Sequence, residues 1–100
     1  MEVKILKISE FQQMMRQLYF ERDKNRGVSK TFCWLIEEIG ELAKSINKKN
    51  LDFGAEFADV LAWLCSLANL YEIDLEKVAL NKYNYRCPKC KKSPCICKID

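Results

Sequence analysis

A chain of 100 residues has room for one small domain with a single hydrophobic core. Its composition is that of an ordinary globular protein, but the absence of histidine excludes Ser-His-Asp and Cys-His catalysis, His-ligated catalytic zinc and Glu-x-x-His di-iron sites. The net charge of +3 arises in residues 77–100, where seven Lys and Arg meet one acidic residue, and this is a weak signature for nucleic-acid binding.

The first helix is predicted to begin at Ser9, because Ser9-Glu10-Phe11-Gln12 has the spacing of a capping box. Apolar side chains then recur at helical intervals, which extends this helix to about Arg22. These side chains are Phe11, Met14, Met15, Leu18 and Tyr19. Residues 22–27 are polar and end in glycine, so we expect a loop there.

The second helix is predicted from about Ser29 to Lys48, with one apolar stripe facing the core. That stripe consists of Phe32, Leu35, Ile36, Ile39, Leu42, Ala43 and Ile46. The polar residues 47–50 predict a short turn, which would make the next helix an antiparallel neighbour.

The third helix, about residues 52–71, carries one charged residue between Phe57 and Tyr71, namely Asp59. A helix that is apolar on nearly all sides is buried on nearly all sides. The other predicted helices are too few to surround the third helix. We therefore expect a second subunit to cover it, in a homodimer or alternatively in a tetramer.

A fourth helix should begin after Asp74 and end before Cys87-Pro88. The predicted fold is therefore an all-α antiparallel bundle of about four helices, completed by oligomerisation. We divide the chain into a helical domain, residues 1–85, and a four-cysteine tail, residues 86–100. The longest apolar run is too short for a membrane span and no signal peptide is recognisable, so we expect a cytoplasmic protein.

Two acidic pairs lie in the second and third helices, Glu38 with Glu41 and Glu56 with Asp59. Each pair is spaced i, i+3, which places both carboxylates on one face of a helix. If the two helices are antiparallel neighbours, four carboxylates converge. The alternative is a solvated surface, but an unpaired Asp59 on so apolar a helix would be costly. Oxygen ligands without His or Cys indicate Mg²⁺ or Mn²⁺.

The segments Trp34–Ala43 and Glu56–Leu61 resemble the MazG nucleotide pyrophosphohydrolases, which are all-α enzymes related to dimeric dUTPases and to phosphoribosyl-ATP pyrophosphohydrolase. The likeness covers about residues 8–85, and its signature is Glu-Glu-x-x-Glu followed by Glu-x-x-Asp. It implies Mg²⁺-dependent cleavage of a nucleoside triphosphate between the α and β phosphates, which yields a nucleoside monophosphate and pyrophosphate. Such an activity would clear abnormal or surplus nucleotides.

The resemblance also implies roles for individual residues. Mg²⁺ would be held by Glu38, Glu41, Glu56 and Asp59. Glu37 would have an outer-shell or base-assisting role, and phosphate would be met by Lys82 and by the basic residues Arg22, Arg26 and Lys30. Trp34 lies on the acidic stripe and is a candidate for stacking on a base, whereas Trp63 is assigned to core or interface packing.

The tail contains Cys87-x-x-Cys90 followed by Cys95-x-Cys97. Four thiols this close together in a cytosolic protein are typical of a tetrahedral Zn²⁺ site, with disulfides or free thiols as alternatives. A closed site of this kind has no open position for catalysis, so its role would be structural or substrate-covering. Cys33 and Cys65 are interpreted as small apolar residues.

Two functions follow from these patterns. The first is a nucleoside triphosphate pyrophosphohydrolase. The second is a non-enzymatic helical oligomer whose basic, zinc-bound tail binds nucleic acid, with the carboxylates serving only the structure. The nucleic-acid alternative is the weaker one, because few aromatic residues are interleaved with the basic ones.

Overall fold

The computed structural model describes residues 4–48 and 53–99, and over these ranges it is helical without a strand. The helices are α1 (Ile8–Arg26), α2 (Val28–Asn47), α3 (Gly54–Leu70) and α4 (Leu75–Tyr83). Helix α3 packs along both α1 and α2, while α4 lies against α1. The prediction of an all-α fold of four helices followed by a cysteine tail is confirmed. None of the helices in the described ranges combines the length and apolarity that a membrane crossing requires.

Helix α1 is longer than the sequence predicted, because the loop expected at residues 22–27 is reduced to Gly27. The helix continues through Arg26, and the backbone N–H of Gly27 donates to the carbonyl of Asp23 at 2.9 Å. Gly27 has a φ of 89°, a left-handed value that glycine adopts without strain and that turns the chain directly into α2. Within this polar run, Asp23 faces inward and pairs with Arg26 one turn later.

The predicted capping box at the start of α1 is wrong, because Ser9 and Gln12 do not form the cap. The helix begins at Ile8, and the backbone N–H of Lys7 donates to the carboxylate of Glu10 at 3.0 Å. Gln12, expected to reach back to the cap, is instead buried between α1 and the α3–α4 turn. Its amide donates to the Asn69 side chain at 3.0 Å and to the Ile73 carbonyl at 2.7 Å, and its oxygen accepts from the Leu75 N–H at 2.9 Å.

Replacing Gln12 with alanine is expected to destabilise the protein by about 2–4 kcal/mol, because several buried partners lose their hydrogen bonds at once. The same change at Gln13, an exposed neighbour, should shift the free energy of unfolding by less than about 0.5 kcal/mol. Denaturant unfolding followed by circular dichroism measures both. Equal effects at the two positions would mean that the amide of Gln12 does not tie α1 to the α3–α4 turn.

The stripe predicted as the core of α2 is largely exposed in the single chain. Leu35 is buried, but Phe32, Ile36, Ile39 and Ile46 are 44–51% exposed. On α3, Phe57, Leu61 and Leu64 are also 40–53% exposed. We call these seven residues the apolar face. Within the described residues, the other helices cover Leu35 fully and Leu42 in part, and they leave most of the stripe exposed.

Candidate metal centre and adjoining cleft

The two helices that carry the acidic pairs bring three of their carboxylates together. Glu38 comes from α2, and Glu56 and Asp59 lie one turn apart on α3. A carboxylate oxygen of each lies within 4.8 Å of one from each of the others. Glu38 and Glu56 are half-buried, while Asp59 is exposed. We refer to Glu38, Glu56 and Asp59 as the carboxylate group.

The electrostatics of the carboxylate group are unfavourable without a cation. Burial raises the pKa of Glu38 above its ordinary value of 4.5, and the charges of Asp59, Glu56, Glu41 and Glu37 raise it further. A positive charge placed beside Glu38 would offset this repulsion. The donors are all hard oxygens, which fits Mg²⁺ or Mn²⁺ and does not fit a soft metal.

In the absence of metal, Glu38→Gln is expected to melt a few degrees higher than the wild type at neutral pH. The folded protein keeps Glu38 protonated to a higher pH than the unfolded chain, so stability is lost as the pH rises from 4.5 through the raised pKa. The two melting temperatures should converge below pH 4.5, where Glu38 is protonated in both states. Thermal unfolding in a chelator measures this. A wild type that melts higher at neutral pH would contradict it.

Glu41 and Glu37, the other two predicted acidic residues, lie outside the carboxylate group. Both are exposed on α2, and the charge of each still raises the pKa of Glu38. A Glu41 carboxylate oxygen lies 3.8 Å from the Lys44 Nζ. An exposed pair at that distance contributes at most about 1 kcal/mol, so it does not fix Glu41 in place.

A cleft of about 270 Å³ opens between α1 and α3 and reaches the carboxylate group at Asp59. Its lining combines aromatic, basic and acidic side chains, with Tyr19, Arg22 and Arg26 on α1 and Trp63 on α3. Met15, Asp23, Ala62 and Ser66 complete its wall. An apolar cleft with a few converging polar groups is the usual form of a small-molecule site.

The two tryptophans are in contact at this cleft. The Trp34 and Trp63 rings are stacked, with centroids 5.9 Å apart and planes at 17°. The guanidinium carbon of Arg26 lies 4.8 Å from the centroid of the Trp63 ring. The sequence suggested Trp34 for base contact and assigned Trp63 to packing, but Trp63 is the one that lines the cleft.

Arg26 is held in place by a buried partner that the sequence did not identify. Its Nη1 donates to Asp23 Oδ1 at 2.7 Å, and Asp23 is only 1% exposed. The same nitrogen lies 3.4 Å from the hydroxyl of Thr31, which itself donates to the Gly27 carbonyl at 2.8 Å. Arg26 was predicted to meet phosphate, and the structure places it in an ion pair at the cleft wall. Its guanidinium therefore holds the plane of Trp63 against α1.

The other three residues predicted to contact phosphate lie on three different helices. Arg22 lines the cleft, and Lys30 is exposed in the first turns of α2. Lys82 is exposed on α4, the helix that packs on α1, and its Nζ lies 5.8 Å from the ring of its neighbour Tyr83. Of these three residues, Arg22 is the one that the structure brings to the cleft.

The six cysteines fall into two classes. Cys87, Cys90, Cys95 and Cys97 bring their sulfurs within 4.8 Å of one another in the tail. Cys33 is exposed on α2 and Cys65 is fully buried on α3. Burial raises the pKa of the Cys65 thiol, which keeps it protonated and unreactive.

Comparison with known families finds a match. The family model of the MazG nucleotide pyrophosphohydrolase domain matches residues 26–91. The match spans α2, α3 and α4, includes the whole carboxylate group, and ends inside the cysteine tail. No curated protein matches the chain.

Proposed function

The chain belongs to the MazG nucleotide pyrophosphohydrolase family, and we propose that it hydrolyses nucleoside triphosphates between the α and β phosphates with Mg²⁺. The products are a nucleoside monophosphate and pyrophosphate. The observation that carries the proposal is the carboxylate group opening into an aromatic and basic cleft at Asp59. A metal held by this group would bind phosphate beside the aromatic wall of the cleft, which would hold the nucleoside.

The carboxylate group would hold Mg²⁺ through Glu38, Glu56 and Asp59, with Glu41 as a fourth ligand, as the family resemblance implies. The weak pairing of Glu41 with Lys44 leaves its carboxylate free to turn toward a cation. When bound, Mg²⁺ supplies charge neutralisation for the triphosphate and activation of the attacking water. Glu37, exposed beside Glu38, is our candidate to accept the proton of that water.

The cleft would hold the nucleoside and orient the triphosphate. Tyr19 and Trp63 provide aromatic surface for the base, while the Trp34 ring behind Trp63 keeps that surface in place. Arg22 is exposed at the cleft and is available for phosphate. Asp59 belongs to both the cleft and the carboxylate group, so a nucleotide in the cleft would have its phosphates near any metal that these carboxylates hold.

The active form is proposed to be a homodimer that buries the apolar face. The exposed residues of α2 and α3 recur at helical intervals on two neighbouring helices, which is the pattern of a helical hairpin that pairs with a second hairpin. A second copy supplies a matching apolar surface by symmetry.

The experiment that tests the activity is a panel of nucleoside triphosphates assayed for pyrophosphate release. We expect release with Mg²⁺, none with a chelator, and a nucleoside monophosphate as the second product. Release of orthophosphate and a diphosphate instead would place the cleavage between the β and γ phosphates and contradict the proposal. A panel without any Mg²⁺-dependent turnover would contradict it as well.

A further inference from the structure

The sulfur atoms of the tail are spaced as ligands of one metal ion. The Cys87 and Cys97 Sγ atoms are 3.7 Å apart, and those of Cys90 and Cys95 are 3.9 Å apart. A Zn–S bond of about 2.3 Å in a regular tetrahedron separates its sulfurs by about 3.8 Å. A disulfide needs about 2.05 Å, and all four cysteines are free.

The backbone around the sulfurs is also arranged for thiolates. The N–H of Ile96 lies 3.5 Å from Cys90 Sγ, and the N–H of Cys97 lies 3.3 Å from Cys95 Sγ. A tight turn at Cys87 is closed by the Lys91 N–H donating to its carbonyl at 2.8 Å, with Lys91 at a left-handed φ of 63°. Hydrogen bonds from the backbone stabilise sulfur when it is negatively charged, as it is on a metal.

Residues 86–99, the described part of the tail, have no hydrophobic core that would order them in another way. Its apolar side chains face solvent, with Ile96 69% and Ile99 97% exposed, and Tyr85 just before it 89% exposed. Burial of apolar surface therefore contributes little to holding residues 86–99 in one conformation. A bound ion would supply the missing free energy, as it does in small zinc domains.

We propose that Cys87, Cys90, Cys95 and Cys97 bind one Zn²⁺ in a closed tetrahedral site that serves as the folding core of residues 86–99. The site is chemically distinct from the carboxylate group, since thiolates select a soft or borderline metal and carboxylates a hard one. All four ligands come from one chain, so loading does not depend on dimerisation. The proposal stands independently of the hydrolase activity.

The test is metal analysis of the 100-residue chain after reconstitution with Zn²⁺ and gel filtration in Mg²⁺ buffer. We expect one Zn²⁺ per chain in the wild type and in Cys33→Ser, which removes an exposed cysteine outside the tail. When all three proteins are challenged in parallel with a competing chelator, Cys90→Ser should retain less than about a tenth of the Zn²⁺ that the wild type retains, because it has only three of the four thiolate ligands. Cobalt substitution should give the visible absorption of tetrahedral thiolate Co²⁺ in the first two proteins only.

Limited proteolysis provides a second readout. With Zn²⁺ bound, the tail should resist cleavage at its lysines, and a thiol-competing chelator should expose it while α1–α4 stay intact by circular dichroism. Retention of Zn²⁺ by Cys90→Ser would overturn the proposal. So would iron in place of zinc in the protein as purified, or a reduced wild type that binds no metal.

Discussion

Replacing Asp59 with asparagine is expected to lower Mg²⁺-dependent pyrophosphate release by at least about 10²-fold while the helical content stays unchanged. The amide is nearly the same size but carries no charge, so the proposed metal site loses one anionic ligand. The metal supplies several kcal/mol of charge stabilisation in phosphoryl chemistry, and each 1.4 kcal/mol corresponds to a factor of ten in rate. Asp59 is exposed, so the fold tolerates the change.

Two further variants make the result specific to the carboxylate group. Glu21→Gln removes an exposed carboxylate on α1 and should leave the rate unchanged. Glu41→Gln should mainly raise the Mg²⁺ concentration needed for half-maximal rate, since Glu41 joins the metal from outside the preformed group. The rate and its Mg²⁺ dependence are measured together for all three. An active Asp59→Asn protein would remove the carboxylate group from the mechanism.

The helical class was predictable from the sequence because hydrophobic spacing and turn residues mark the helices directly. The approach of Glu38 to Glu56 and Asp59 was predictable for a related reason. Each acidic pair has i, i+3 spacing, which puts both of its carboxylates on one helix face. The short turn predicted at residues 47–50, which lies partly outside the described residues, leaves few other arrangements of the two helices. Both features are local in sequence, and local patterns are what a sequence displays most clearly.

The cleft was not predictable in the same way, because it depends on where α1 ends. Residues 22–26 are polar, and the sequence predicted a loop there, so the shared face of Met15, Tyr19, Arg22 and Arg26 was not recognised. Those four positions are spaced i, i+4, i+7 and i+11, and a longer helix would have aligned them. The burial of Asp23, which pairs with Arg26 one turn later, depends on tertiary packing that spacing does not reveal.

The apolar stripe on α2 shows a second limit of prediction from sequence. Hydrophobic periodicity predicts which residues of a helix avoid water, but it does not distinguish the core of one chain from a surface between two. Leu35 is buried within the chain, whereas Ile36 and Ile39 are about half exposed. The sequence argument for α3 expects a second subunit, because one strongly apolar helix needs more cover than three others provide, and that subunit stays a prediction.

Replacing Ile36 with glutamate is expected to convert a dimer into a monomer and to raise the dimer dissociation constant by at least about 10²-fold. An unpaired carboxylate buried between two subunits costs several kcal/mol, and symmetry places one from each subunit in the interface. Analytical ultracentrifugation measures the mass over a range of concentrations.

The matched control is Gln17→Glu, which adds the same charge to an exposed position on α1. A wild type that is monomeric at high concentration would contradict the dimer, and equal dissociation in both variants would assign the effect to net charge. A selective effect at Ile36 would mean that the apolar face is shaped for a second copy.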